Sequence, residues 1–101
     1  MAPKTYPFDA SALLDDRETQ ALYLAEVIRA AQEDGNPALI TTALGDIARA
    51  RGMSEVAEQA GVSRSALYKA LREDGDPRLS TLLGVMRALG VELSVKAKDA
   101  A

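Results

Sequence analysis

Apolar residues recur along this chain at helical spacing, and the runs are broken by Gly, Pro, Asn, Ser and Asp. Residues 1–8 hold Pro3 and Pro7 and read as an extended arm. Asp9 is placed to cap a short helix through Leu14, its carboxylate accepting from the free amides of the first turn. Asp15 or Asp16 then caps a longer helix over roughly 17–33. There Leu24, Val27, Ile28 and Ala31 follow i, i+3, i+4, i+7 and face a core, and Gly35 ends the run. Asn36-Pro37 restarts the chain, with Asn as N-cap and Pro at the first helical position, where its missing N–H costs nothing. The next helix reaches about Ala50, turns Ile40, Leu44, Ile47 and Ala48 inward, and stops at Gly52.

Two short helices follow. Ser54 caps the first, about 55–60, which Gly61 ends; Ser63 caps the second, about 64–72. Glu73-Asp74-Gly75-Asp76-Pro77 is a turn, and a last helix over about 79–89 presents Leu79, Leu82, Leu83, Met86 and Leu89 before Gly90. Val91-Glu92-Leu93-Ser94-Val95 alternates apolar and polar with period two, which predicts a short C-terminal β-strand. No second strand is available in the chain, so this segment is either a tail or pairs with another copy or a different protein. Residues 96–101 read as frayed. The expectation is an all-α single domain over 1–101, a five- or six-helix bundle. It divides into the arm 1–8, N-terminal helices 9–52, a core with its last helix 53–90, and a strand or tail 91–101.

The segment GMSEVAEQAGVSRSALYKAL, Gly52 to Leu71, fits a helix-turn-helix. Such a pair needs a small residue where the helices cross, supplied by Ala57, and a positive φ four residues later, supplied by Gly61. Val56, Ala60, Val62, Leu67 and Ala70 occupy the inward positions. Outside remain Arg64, Ser65, Tyr68, Lys69 and Arg72, all hydrogen-bonding types and none acidic. A helix in the major groove applies its N-terminal side chains to base edges. Arg64 suits the bidentate contact to guanine O6 and N7, Ser65 either base type, and Tyr68 a thymine methyl or a phosphate. Ser63, Lys69 and Arg72 suit phosphates, as do the amides opening the helices at Ser54 and Ser63. The competing reading is an Ala-rich helical hairpin whose basic face is merely solvated.

Charge alters this picture only locally. The 101 residues carry 12 Lys+Arg and 15 Asp+Glu, a formal −3. Gly45 to Arg72 holds five bases against three acids, a local +2 that leaves −5 for the remainder. A basic middle in an acidic protein is compatible with a phosphate-binding face plus an acidic surface for another partner. His and Cys are absent, which excludes disulfides, Cys/His zinc sites and imidazole-based catalysis. No carboxylate sits in a recognisable acid/base pair, no metal-ligand spacing occurs, and no enzyme activity, metal or cofactor is expected. No apolar run approaches the ~20 residues of a membrane span, so the expectation is a soluble cytoplasmic protein without a membrane partner.

The stretch GDIARARGMSEVAEQAGVSRSALYKALREDGDPRLSTLLGVMRALGVEL resembles the XRE-type helix-turn-helix antitoxins called addiction-module antidote proteins. The resemblance extends upstream through TYPFDASALLDD to cover roughly Lys4 to Leu93, and the ordered motifs "FDA…LLD", "ALGDIARARGMS", "SRSALYKAL" and "GDP" carry it. It implies a lambda-repressor-like, HigA-like antitoxin that binds a RelE/ParE-type toxin and represses its own operon. By position, Ser63, Arg64, Ser65, Tyr68, Lys69 and Arg72 would form the operator-reading surface. It supplies no comparable motif for toxin contact. Acidic residues Asp9, Asp15, Asp16, Glu18, Glu26, Glu33 and Asp34 concentrate in the N-terminal third, where they suit a basic partner or simply cap helices. Tyr6, Phe8 and Leu13 or Leu14 are candidate apolar anchors there.

A module this small makes few phosphate contacts, so a homodimer on double-stranded operator DNA is expected, reading half-sites ~34 Å apart. Leu82, Leu83, Met86, Leu89, Val91 and Leu93 are its candidate contacts. Arg49 and Arg51 suit the negative end of a helix dipole more than DNA, though Arg51 is near enough to serve both, and Met53 and Met86 suit core filling. Two other functions stay open: a toxin-neutralising module that no longer reads DNA, and a repressor unconnected with any toxin.

Overall fold

In the computed structural model, residues 17–98 are described; the predicted arm 1–8, the helix from Asp9 and the caps at Asp15 or Asp16 lie outside them. The described residues form five helices, α1 Arg17–Asp34, α2 Ala38–Arg51, α3 Met53–Ala60, α4 Arg64–Ala70 and α5 Leu79–Leu89. α1 and α2 pack as a pair, α3 lies against α2, α4 and most extensively α5. The fold is all-α.

The α2 start follows the sequence. Asn36 Oδ1 accepts from Ala38 N at 3.2 Å, and Pro37 already has helical dihedrals, φ −65 and ψ −17. The α3 start does not. Gly52 precedes it with φ 118, the helix begins at Met53, and Ser54 therefore sits exposed within the first turn rather than capping it. Ser63 does cap α4: its backbone is extended and its Oγ accepts from Ala66 N at 3.0 Å. α4 is shorter than expected, ending at Ala70, which leaves Arg72 in the following turn.

The core collects Leu24 from α1, Leu44, Ile47 and Ala48 from α2, Met53, Val56 and Ala57 from α3, Leu67 from α4, and Val85 and Leu89 from α5. Leu71, just past α4, is buried with them. Val27, Ile40, Ala60, Val62 and Leu82 pack around this centre.

Two expectations about the C-terminal third are overturned. On α5 the inward stripe is Leu82, Val85, Met86 and Leu89, while Leu79 and Leu83 are 66% and 45% exposed. Leucine occurs on two neighbouring stripes of this helix, and packing on α3 selects the one beside Gly84. A Cβ at Gly84 would lie 2.8 Å from the Ala60 carbonyl oxygen, so glycine is what lets the two backbones approach. Met86 and Leu89 are consequently interior, as filler suits Met86, and are removed from the candidate dimer contacts.

The predicted strand at 91–95 is the second correction: among the described residues there is none, and 91–98 runs on without regular structure. Val91 belongs to the end of α5. Its N–H donates to Met86 O at 3.0 Å, Gly90 N–H donates to Arg87 O at 3.0 Å, and Val91 packs half-buried on the core. This is the six-to-one closure that follows a helix glycine, with its usual apolar contact. The first apolar residue of the apparent alternation is thus spent on closing a helix, and among the described residues there is no strand to pair the rest.

Candidate nucleic-acid interface

The turn between α3 and α4 uses the same closure. Gly61 has φ 78 and ψ 27, a left-handed conformation that costs glycine no Cβ clash. Its N–H donates to Glu58 O at 3.2 Å, and Val62 N–H donates to Ala57 O at 3.0 Å. Val62 is drawn onto the core, Ser63 turns the chain, and α4 begins at Arg64. The expected packing residues Val56, Ala57 and Leu67 are 1%, 2% and 0% exposed, while Gly61 itself faces solvent. Ala60 and Ala70 are half-buried.

Burying Leu67 dictates the other side of α4. Arg64, Ser65, Tyr68 and Lys69 all face solvent, together with Ser63. The helix therefore carries a contiguous outward face of two cations, two hydroxyl side chains and one tyrosine, with no carboxylate in it. Arg64 lies over Tyr68: its Cζ is 5.4 Å from the ring centroid, and Nη2 donates to Tyr68 Oη at 3.4 Å. The distance falls within the ~6 Å range of cation–π attraction.

Arg72 lies beyond the helix and pairs with Asp74 at 3.3 Å, in the acidic turn Glu73 to Asp76. A phosphate approaching Arg72 meets that carboxylate as well. Ser54 is exposed at the start of α3, a helix whose first turn also carries Glu55. Ser63, Arg64, Ser65, Tyr68 and Lys69 thus lie exposed on or at the start of α4, with Arg72 exposed in the turn after it and Ser54 exposed on α3.

Arg49 and Arg51 have definite duties elsewhere. Arg49 bonds Asp46 one turn back on α2 at 2.7 Å. Arg51 reaches Gln20 Oε1 of α1 at 3.1 Å and the Ala88 and Leu89 carbonyls of α5 at 3.5 and 3.4 Å. Arg51 thus closes α2 as its last residue, carries its cation to the negative end of α5 as well, and ties three helices together. Gln20 is fully buried, a polar core residue that the apolar periodicity could not reveal. Tyr23 of α1, beside α2, has its phenol pushed above its ordinary value, by burial first and by the nearby Asp46 carboxylate second.

On α1 the exposed Arg29 bonds both Glu26 at 2.6 Å and Glu33 at 3.4 Å. An open hollow of about 540 Å³ beside α1 and α2 is lined by Tyr23, Val27, Leu39 and Ala43 together with Glu26 and Glu73. Among the described residues no three potential metal ligands converge, and no helix is long and apolar enough to cross a membrane.

Fold and site define a small all-helical protein that presents one acid-free cationic helix face. The family whose description reads "probable addiction module antidote protein" matches residues 4–97, and this chain belongs to that family. A relative from Haemophilus influenzae (strain ATCC 51907 / DSM 11121 / KW20 / Rd), described as an uncharacterized protein, is 46% identical over 96 residues, covering 95% of each chain. No solved structure matches the chain. An antidote has a toxin as its counterpart, which makes the protein an antitoxin of a toxin–antitoxin module.

Proposed function

We propose that this antitoxin is also an operator-binding autorepressor, in which α3 and α4 act as a helix-turn-helix of the XRE type. The observation that carries the reading is the outward face of α4: Arg64, Ser65, Tyr68 and Lys69 exposed, Leu67 buried beneath them, and Ser63 fixing the helix start. In this reading α4 enters the major groove by its first turn, Arg64 and Ser65 meet base edges, and Lys69 and the α4 N-terminal amides meet phosphates. The partners are double-stranded operator DNA, a second copy of the chain and a RelE/ParE-type toxin, as in HigA-like pairs. Leu83 and Leu93, exposed, and Leu79 beside Leu83 supply the dimer contact, with Leu82 and Val91 at its edge. The toxin binds through the acidic N-terminal third.

The second reading, a toxin-neutralising module that does not read DNA, draws on the overall −3 charge and on the Arg72–Asp74 pair behind α4. One experiment separates the two. Binding of the DNA upstream of the operon is measured at ~100 mM salt, where phosphate contacts still contribute. Operator binding predicts a specific complex that Arg64→Ala with Lys69→Ala weakens by ~1–3 kcal/mol for the base contact, while toxin binding is kept. Absence of a specific complex with the wild-type chain leaves the second reading standing.

A further inference from the structure

We infer that Tyr68 is a positioning residue for Arg64, and that the two form a preassembled reader of one guanine in each half-site. The inference rests on the operator-binding reading above. Arg29, Arg49 and Arg72 are engaged by carboxylates and Arg51 by Gln20 and carbonyls. Arg64 is different: its partner is the face and hydroxyl of Tyr68, one turn further along α4.

That partner leaves the guanidinium's charge intact and restricts where it points. An exposed arginine samples many rotamers, and holding it for a planar, two-donor contact costs side-chain entropy at the moment of binding. An aromatic ring beneath the guanidinium removes part of that cost beforehand. The remaining N–H groups lie in the guanidinium plane, the arrangement required by the paired O6 and N7 acceptors of guanine. The 3.4 Å hydroxyl contact is longer than an ordinary N–H···O bond, so the ring rather than the hydroxyl carries the arrangement. Arg64 also opens α4, and the first turn of a recognition helix is the part that reaches base edges.

The test uses the full chain as wild type, Tyr68→Phe, Tyr68→Ala and Arg64→Ala, with helical content checked by circular dichroism. Preferred sites are selected from duplexes randomised over ~20 bp, enough for two half-sites. Affinities are then measured with each guanine replaced in turn by 7-deazaguanine, which lacks the N7 acceptor. Wild type and Tyr68→Phe are expected to share one guanine whose replacement weakens binding about fivefold, and Arg64→Ala to be indifferent to it. Tyr68→Ala is expected to lose most of that discrimination, by a factor larger than its loss of affinity for scrambled duplex, and Tyr68→Phe to restore it. Full discrimination retained by Tyr68→Ala overturns the positioning role. Tighter binding by Tyr68→Ala overturns it too, because the ring would then be shielding Arg64. A selected site with no Arg64-dependent guanine overturns the reader as a whole. Failure of the wild type to select any sequence is a distinct result that removes the operator reading and this inference with it.

Discussion

α4 and α5 flank the same short helix, α3, and each sends one side into the same core, yet their outward sides differ in kind. α4 shows water Arg64, Ser65, Tyr68 and Lys69 with the small Ala66 among them; α5 shows it Leu79 and Leu83, one turn apart, beside Ser80 and Arg87, with Leu93 exposed in the tail beyond. A cationic face is already well solvated, so its meaning lies in the charge it can offer a phosphate backbone. An apolar face gains ~25 cal/mol for every Å² removed from water, so its meaning lies in what could cover it. The function proposed for this protein gives one helix to nucleic acid and the other to a second copy of the chain, and both halves can be tested.

The strongest contrast is between leucines. Leu67→Ala removes a fully buried side chain from beneath the α4 face and should destabilise the protein by ~2–5 kcal/mol in urea or thermal unfolding. Leu83→Ala removes a side chain left 45% exposed and should cost under ~1 kcal/mol when measured at concentrations where the chain is monomeric. Equal costs would show that α5 sits on the core differently from the arrangement described above.

Association gives the next largest effect. If the α5 face joins two copies, Leu79→Asp with Leu83→Asp should weaken self-association by tenfold or more (each buried leucine being worth ~1.5–3 kcal/mol), with helical content unchanged. Sedimentation equilibrium reads this directly. A double variant that dimerises like the wild type removes α5 from the interface.

The unequal legibility of these two helices has a physical cause. α4 was readable because its constraints are local and chemically distinctive: a glycine at φ 78, a serine whose hydroxyl caps the helix, and a single fully buried leucine on a helix whose other large side chains are polar or tyrosine. For α5 the sequence offers leucine on two adjacent stripes, and the choice between them depends on a remote event, the approach of Gly84 to Ala60. The strand at 91–95 failed for a related reason, since Val91 alternates correctly but is claimed by the closure of α5. Arg51 and Gln20, which join α1, α2 and α5, left no trace in the periodicity either, because a buried polar contact depends on where three helices converge. In the candidate site, Arg64, Ser65, Tyr68 and Lys69 follow from helix phase, whereas Arg72 depended on where α4 stops.

The smallest effects lie at the helix starts, where the two helices also differ. Ser63 caps α4 through its hydroxyl, whereas Arg78 precedes α5 in an extended conformation with no side-chain bond to the helix. Arg78→Ser should therefore add up to ~1 kcal/mol of stability, and Ser63→Ala should cost ~1 kcal/mol, both read by urea unfolding. Ser63→Asp divides the two roles of the α4 start. Aspartate is as good a cap as serine, and its charge favours a helix N-terminus, so stability should hold within ~0.5 kcal/mol. The same charge faces the phosphate that the α4 amides are proposed to receive, so operator affinity should fall while folding is preserved. If Ser63→Asp binds the upstream DNA as tightly as wild type does, the first turn of α4 is not against the phosphate backbone, and the contrast drawn between the two helices loses its nucleic-acid half.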